Sequence, residues 1–213
     1  MKLIIANRTY SSWSLRAWLA ARASKHPFEE QLILLRQPDT RARILQWSPS
    51  GKLPCLIDNG LAVWDSLAIA EYLAEEQPAM WPLDGAARAL ARSVSAEMHS
   101  GFQALRNQMP MNLHREGQPL ARSSPELEVD IRRIEALWTD CLTRFGGHEP
   151  YLFGAWSIAD MMFAPVCLRF HSYGVTLSGA ARDYVAAVLA HPHVVEWCEA
   201  AQAESSLIPD YEV

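Results

Sequence analysis

Strand-like and helix-like segments alternate along residues 1–77, and beyond that stretch no strand pattern persists. Residues 2–6 read as a short strand. Residues 14–24 place Leu15, Trp18, Leu19 and Arg22 at helical spacing, and 28–35 read as a second strand. A short helix over 41–46 precedes the turn cluster Ser48, Pro49, Ser50 and Gly51. Two apolar runs, 53–57 and 61–64, flank Asp58, Asn59 and Gly60. Asn-Gly between strands is the strongest short hairpin signal. A helix over 66–76 follows, with Leu67, Ile69, Ala70 and Leu73 on its apolar side. The order β-α-β-α-β-β-α requires a mixed sheet with helices against it.

Pro78, Pro82 and Gly85 then break the pattern and mark a linker over 78–86. Helical patterns run over 87–106, 125–145, 158–173, 180–190 and 194–203. Gly117-Gln118-Pro119, Gly146-Gly147 and His191-Pro192 punctuate them. The expected organisation is an α/β domain at 1–77, a linker at 78–86 and an all-α helical bundle at 87–213.

The bulk numbers narrow the partners. A formal net charge of −5 with scattered arginines offers no basic face for nucleic acid and no polybasic membrane patch. No stretch approaches the roughly 18 apolar residues of a membrane span. The apolar start at 1–6 meets Asn7 and Arg8 too soon for a signal peptide, so a cytoplasmic location is expected. Cys55, Cys141, Cys167 and Cys198 lie far apart without CxxC spacing. Reduced, buried thiols are expected there, with no disulfide framework and no metal site.

Three places carry candidate chemistry. Tyr10-Ser11-Ser12-Trp13-Ser14 follows a strand and opens a helix. A hydroxyl there either caps the helix or faces solvent at its positive end, where an anion such as a thiolate is favoured. Leu53-Pro54 begins a strand-like run, where proline cannot donate to a ladder. A cis bond there would expose the Leu53 backbone for pairing with a peptide ligand. Asp65-Ser66 ends the hairpin and opens a helix. As a cap it serves folding; as a site it suits the ammonium and carboxylate of an α-amino acid head group. A fourth motif, Ser157-Ile158-Ala159-Asp160, reads as a capping box and hence as folding information.

Taken in order, SSWSLR at 11–16, GKLPCLIDNG at 51–60, VWDSLAIAEYLAE at 63–75 and SIAD at 157–160 resemble the cytosolic glutathione transferase superfamily over nearly the whole chain. The sequence is most similar to its serine-type, zeta-like branch, which carries an SSC-type motif at this turn. His99 and Arg106 resemble part of that branch's first long helix. The resemblance implies a thioredoxin-like domain with a mixed four-stranded sheet, followed by a helical substrate domain. Ser11, with Ser12 as alternate, would hydrogen-bond the glutathione sulfur. Leu53 beside cis-Pro54 would pair with the cysteinyl unit, Asp65 and Ser66 would hold the γ-glutamyl end, and Lys52 would reach a carboxylate. Trp13, His99, Phe102, Arg106, Met109, Met111 and Arg169 are the expected walls of an electrophile pocket between the halves. The implied activity is a glutathione transferase acting on small electrophiles. The alternatives are a cis–trans isomerase of an unsaturated diacid of the maleylacetoacetate or maleylpyruvate type, and a non-catalytic binding protein. Glutathione as co-substrate, no metal, and a homodimer complete what the resemblance implies. Trp13 stands where zeta members have cysteine, and Ser172 where a zeta substrate arginine falls. Both depart from the isomerase pattern.

Overall fold

The computed structural model describes residues 1–177 and 179–212. Ser178 and Val213, both inside the helical half expected over 87–213, lie outside the described residues. The first half contains β1 (Lys2–Ile5), α1 (Ser12–Ser24), β2 (Glu29–Leu32), α2 (Thr40–Leu45), β3 (Cys55–Asp58), β4 (Leu61–Trp64) and α3 (Ser66–Glu76). The sheet order is β2-β1-β3-β4. β1 runs parallel to β2, and the β1–β3 and β3–β4 pairs are antiparallel. This is the mixed four-stranded sheet of a thioredoxin-like α/β domain. Asn59 (φ 47°) and Gly60 (φ 85°) make the tight turn that pairs Asp58 with Leu61.

Alternation along β1 sorts the two faces of the sheet. Leu3 and Ile5 join the main core with α1 and α3, whereas Ile4 packs with Ile33, Ile44 and Cys55 on the α2 side. The main core continues into the second half without a break. There, α4 (Gly85–Ser100), α5 (Gln103–Gln108), α6 (Pro125–Phe145), α7 (Ile158–Ser172), α8 (Gly179–Leu189) and α9 (Pro192–Gln202) surround a nearly fully buried α7. Trp138 of α6 sets its ring edge-on to Phe163, Phe170 and Tyr184 at centroid distances of 5.7, 5.5 and 5.0 Å. Such pairs add to the area each ring removes from water. The helical bundle and the α/β domain are thus packed on one another through α1, which lies against α7 and α9.

The single helix expected over 87–106 is in fact two. α4 stops at Ser100, Gly101 is extended, and Phe102 takes a left-handed conformation (φ 60°) before α5 begins. A Cβ on residue 101 would stand 2.9 Å from the Glu97 carbonyl oxygen, so glycine permits the break. Arg106 then folds back and donates to the carbonyls of Met98, His99 and Gly101, which satisfies the end of α4. No helix among the described residues is long and apolar enough to cross a membrane.

Candidate functional site

The heads of α1 and α3 and the end of α4 converge around one cleft of about 470 Å³, a volume usual for small-molecule sites. Lys52, Leu53 and Pro54 form one wall, on the segment entering β3. Asp65 and Ser66 form a second at the start of α3, and Trp13 and His99 a third. These seven expected residues are brought together across 86 positions of sequence (13 to 99). Ser50 and Trp64 also line the cleft and were not among the expected site residues. The Leu53–Pro54 peptide is cis.

Asp65 caps α3: its Oδ1 accepts from the Leu67 N–H at 2.9 Å, and its Oδ2 lies 3.1 Å from His99 Nε2. Its backbone has φ 77°, a conformation that a non-glycine residue holds at a cost of about 1–3 kcal/mol. Ser66 follows as the first residue of α3, at 1% exposure. Its Oγ has no hydrogen-bond partner among the described residues. A buried polar atom left without a partner at the positive end of an 11-residue helix is suited to an anionic acceptor.

Of the two roles expected at the head of α1, the structure shows the cap, at Ser11, and neither Ser11 nor Ser12 is among the residues lining the cleft. Ser11 and Ser12 are 8% and 5% exposed. Ser11 is the N-cap of α1: its Oγ accepts from the Ser14 N–H at 3.2 Å and donates to Ser14 Oγ at 2.8 Å. Ser12 Oγ accepts from the Arg169 guanidinium at 3.2 Å, which leaves the Ser12 proton uncommitted. α7 packs against α1, and the C-terminal segment bonds the residues just before these serines. Glu204 accepts from the Arg8 and Thr9 N–H groups. The Tyr10 hydroxyl donates to Glu212, and burial together with this bond pushes the phenol up to about 12.

Phe102, Met109 and Met111 are buried in the core and do not line this cleft. Arg106 and Arg169 stand behind Trp13 and Ser12, not on the cleft wall. Sequence reasoning missed Arg16, which joins them. Arg16 Cζ lies 4.8 Å and Arg106 Cζ 4.6 Å from the Trp13 ring centroid. Burial, then the charge of Arg106, pushes the Arg169 guanidinium down to about 9, still protonated at neutral pH. Burial, then the charges of Arg106 and Arg169, lowers Arg16 as well. For Arg16 itself the sequence signal was an arginine three positions after Trp13 in an otherwise apolar helix face.

The expected capping box is present, with Ser157 and Asp160 bonding each other's backbone. The cysteines are free thiols; burial raises all four, and Cys55 beside Pro54 is fully buried.

Known proteins share the fold and parts of the sequence. A 32% identical stretch of 102 residues is shared with a probable maleylacetoacetate isomerase of Caenorhabditis elegans. It covers 47% of this chain and about half, 47%, of that relative. A Burkholderia glutathione transferase homolog, solved with bound glutathione, shares the fold (TM-score 0.73) at 22% identity over 95% of this chain and 98% of its own. A bacterial zeta-class maleyl pyruvate isomerase does so with TM-score 0.75 at 21% identity over 97% and 100%. The N-terminal domain model of glutathione S-transferases matches residues 10–76, and the C-terminal domain model matches 88–200. With more than half its length in the second match alone, and with the two-part fold and cleft described above, the chain belongs to the glutathione S-transferase family.

Proposed function

We propose that the chain binds glutathione in this cleft and activates its thiol at the head of α1 for attack on small electrophiles. One observation carries the reading: Lys52, Leu53, Pro54, Asp65 and Ser66 line a single cleft, with a buried, unpartnered Ser66 Oγ at the positive end of α3. In this reading the γ-glutamyl carboxylate meets Ser66 and its ammonium meets Asp65. The Leu53 backbone pairs with the cysteinyl unit, and Lys52 meets the remaining carboxylate. The residues at 1–77 hold glutathione and those at 87–213 hold the electrophile. A cytoplasmic homodimer of the serine type is part of the same proposal, and no metal takes part.

The magnitudes suffice. A free thiol titrates near about 8.5, and lowering that by two units needs about 2.7 kcal/mol of preference for the anion. One hydroxyl donating to a charged acceptor supplies roughly 1.5–3 kcal/mol, and the helix head adds about 0.3–1. Either serine can supply the hydroxyl. Ser11 must turn its proton away from Ser14, whereas Ser12 holds a free proton beside Arg169. Ser11→Ala and Ser12→Ala separate them. The variant lacking the working hydroxyl should bind glutathione-agarose and turn over a chloronitrobenzene about 10- to 100-fold more slowly, with its pH–rate midpoint displaced upward. Unchanged profiles in both variants would defeat serine activation.

A second reading, a glutathione-dependent isomerase of an unsaturated diacid, is favoured by the cationic groups Arg106 and Arg169 behind Trp13 and Ser12. It uses the same thiolate in a reversible addition. Loss of isomerisation, but not of chloronitrobenzene conjugation, on replacing those two arginines would select it. Failure of any glutathione retention would leave a non-catalytic binding role.

A further inference from the structure

Every residue of α1 from Ser12 to Ala21 is buried except Trp13, which is partly buried and lines the cleft. Side chains on a helix lean towards its N-terminus, which brings the guanidinium of Arg16, one turn on, over the indole at 4.8 Å from the ring centroid. Arg106 comes over the same ring from α5 at 4.6 Å. The His99 ring meets it edge-on at 5.3 Å.

Neither guanidinium lines the cleft. Arg106 commits its donors to the carbonyls of Met98, His99 and Gly101. Arg16 is 1% exposed, and its Nε donates to the Met162 carbonyl at 2.9 Å. Its Nη1 and Nη2 have no partner among the described residues. Trp13 therefore separates an open cleft from a buried cation with unused donors.

The walls of the cleft offer an anion little. Lys52 is the single lysine or arginine among the described residues that line it, and Asp65 is paired with His99. With Lys52 taken up by a glutathione carboxylate, an electrophile against Trp13 meets an apolar ring and no free cation. A carboxylate placed there loses its hydration and gains no partner. A charge-assisted hydrogen bond needs contact at about 3 Å, and the indole holds a ligand farther than that from Arg16.

We propose that Trp13 is the specificity-determining residue of the cleft: its indole covers the arginines, so that uncharged electrophiles are accepted and carboxylate-bearing ones refused. This rests on the glutathione reading and deepens it, because it sets conjugation of neutral electrophiles apart from isomerisation of a diacid. Refusal by an unpaired charge is a standard source of discrimination.

The experiment compares chlorodinitrobenzene with its carboxylate analogue, chlorodinitrobenzoate. In both, the glutathione sulfur bonds to the ring carbon, chloride leaves with the carbon–chlorine pair, and the thiol proton goes to solvent. Each kcat/KM at saturating glutathione is divided by the rate with free glutathione, and the ratio of carboxylate to neutral substrate is read. A change in thiolate supply alters both substrates alike and cancels. The wild type should favour the neutral substrate by about tenfold or more. Trp13→Ala uncovers Arg16 and should raise the ratio about 10- to 100-fold, mainly through the KM of the carboxylate. Trp13→Phe keeps a ring in place and should leave the ratio within about threefold of the wild type. Adding Arg16→Met to Trp13→Ala should remove the gain. Thermal melting establishes folding, and Trp13→Leu replaces Trp13→Ala if the latter does not fold. A wild-type ratio near unity, or an unmoved ratio in the folded small variant, overturns the role of Trp13 and leaves the glutathione reading standing. A gain that survives Arg16→Met overturns it in favour of pocket size. A wild type that takes up no glutathione in calorimetry and conjugates neither substrate overturns this role together with the glutathione reading.

Discussion

The head of α7 and the heads of α1 and α3 are built from the same residue types, serine and aspartate, and treat their polar atoms in opposite ways. At α7 the Ser157 N–H and hydroxyl both donate to Asp160 Oδ2 at 2.9 Å, and Asp160 Oδ1 accepts from the Leu152 N–H at 3.1 Å. The carboxylate accepts on both oxygens from the chain itself, and Asp160 is fully buried. At α3 and α1 the caps also close, through Asp65 and Ser11, but Ser66 Oγ and two amines of Arg16 stay unpartnered beside a cleft. A helix start that serves only folding satisfies its polar atoms internally. One that serves a ligand keeps donors in reserve and tolerates a less stable unliganded state.

The sharpest way to break this contrast is at Asp160. Asp160→Ala strands the Leu152 and Ser157 donors in the core and should cost about 3–5 kcal/mol in urea unfolding, more than any substitution at the cleft. Burial raises the Asp160 carboxyl from 3.8 to about 6. The native state therefore holds this proton in a window where the unfolded chain has lost it. The stability contributed by the side chain falls as pH rises from about 4 to about 6, by about 3 kcal/mol. The stability difference between wild type and Asp160→Asn should shrink by that amount across the window. A difference that stays flat would mean the carboxylate is ionised throughout.

The same contrast explains what was legible in the sequence. The box at 157–160 reads from spacing alone because a cap is a local hydrogen-bond pattern. The extents of β4, α3 and α6 follow from hydrophobic period and from the Asn59-Gly60 turn. Leu53–Pro54 and Asp65–Ser66 were found because each adjoins a strand or helix start, where backbone groups are free, whereas Lys52 came only from the family resemblance. Arg16 was not, since a sequence does not show that a charged residue on a helix will be sealed under an aromatic ring by α7. The break at Gly101-Phe102 was hidden for a related reason: Arg106 supplies the cap from five residues downstream, a long-range choice that helical periodicity conceals.

Ser66 gives the next largest effect, and of the opposite kind. Its hydroxyl has no protein partner, so Ser66→Ala should leave unfolding stability within about 0.5 kcal/mol of the wild type. If that hydroxyl serves a carboxylate, calorimetry should show glutathione binding weakened about ten- to a hundredfold. A large loss of stability with unchanged affinity would place Ser66 in the same class as Asp160 and remove the contrast.

The smallest effect concerns His99. Its Nε2 lies 3.1 Å from Asp65 Oδ2, with side chains 25% and 45% exposed. Exposed pairs of this kind contribute roughly 0–1 kcal/mol and are screened by salt. In the glutathione reading, the ligand's ammonium and the His99 ring compete for one carboxylate, so removing the ring should help the ligand. His99→Gln is expected to tighten glutathione binding about twofold at low ionic strength, with the gain fading as salt is added. A weakened Kd would instead make His99 a direct contact of the ligand and the Asp65–His99 pair part of the binding surface. Either sign refines the description of the α3 head, because at α7 no such competition exists: the Asp160 carboxylate is bonded on both oxygens by the chain itself.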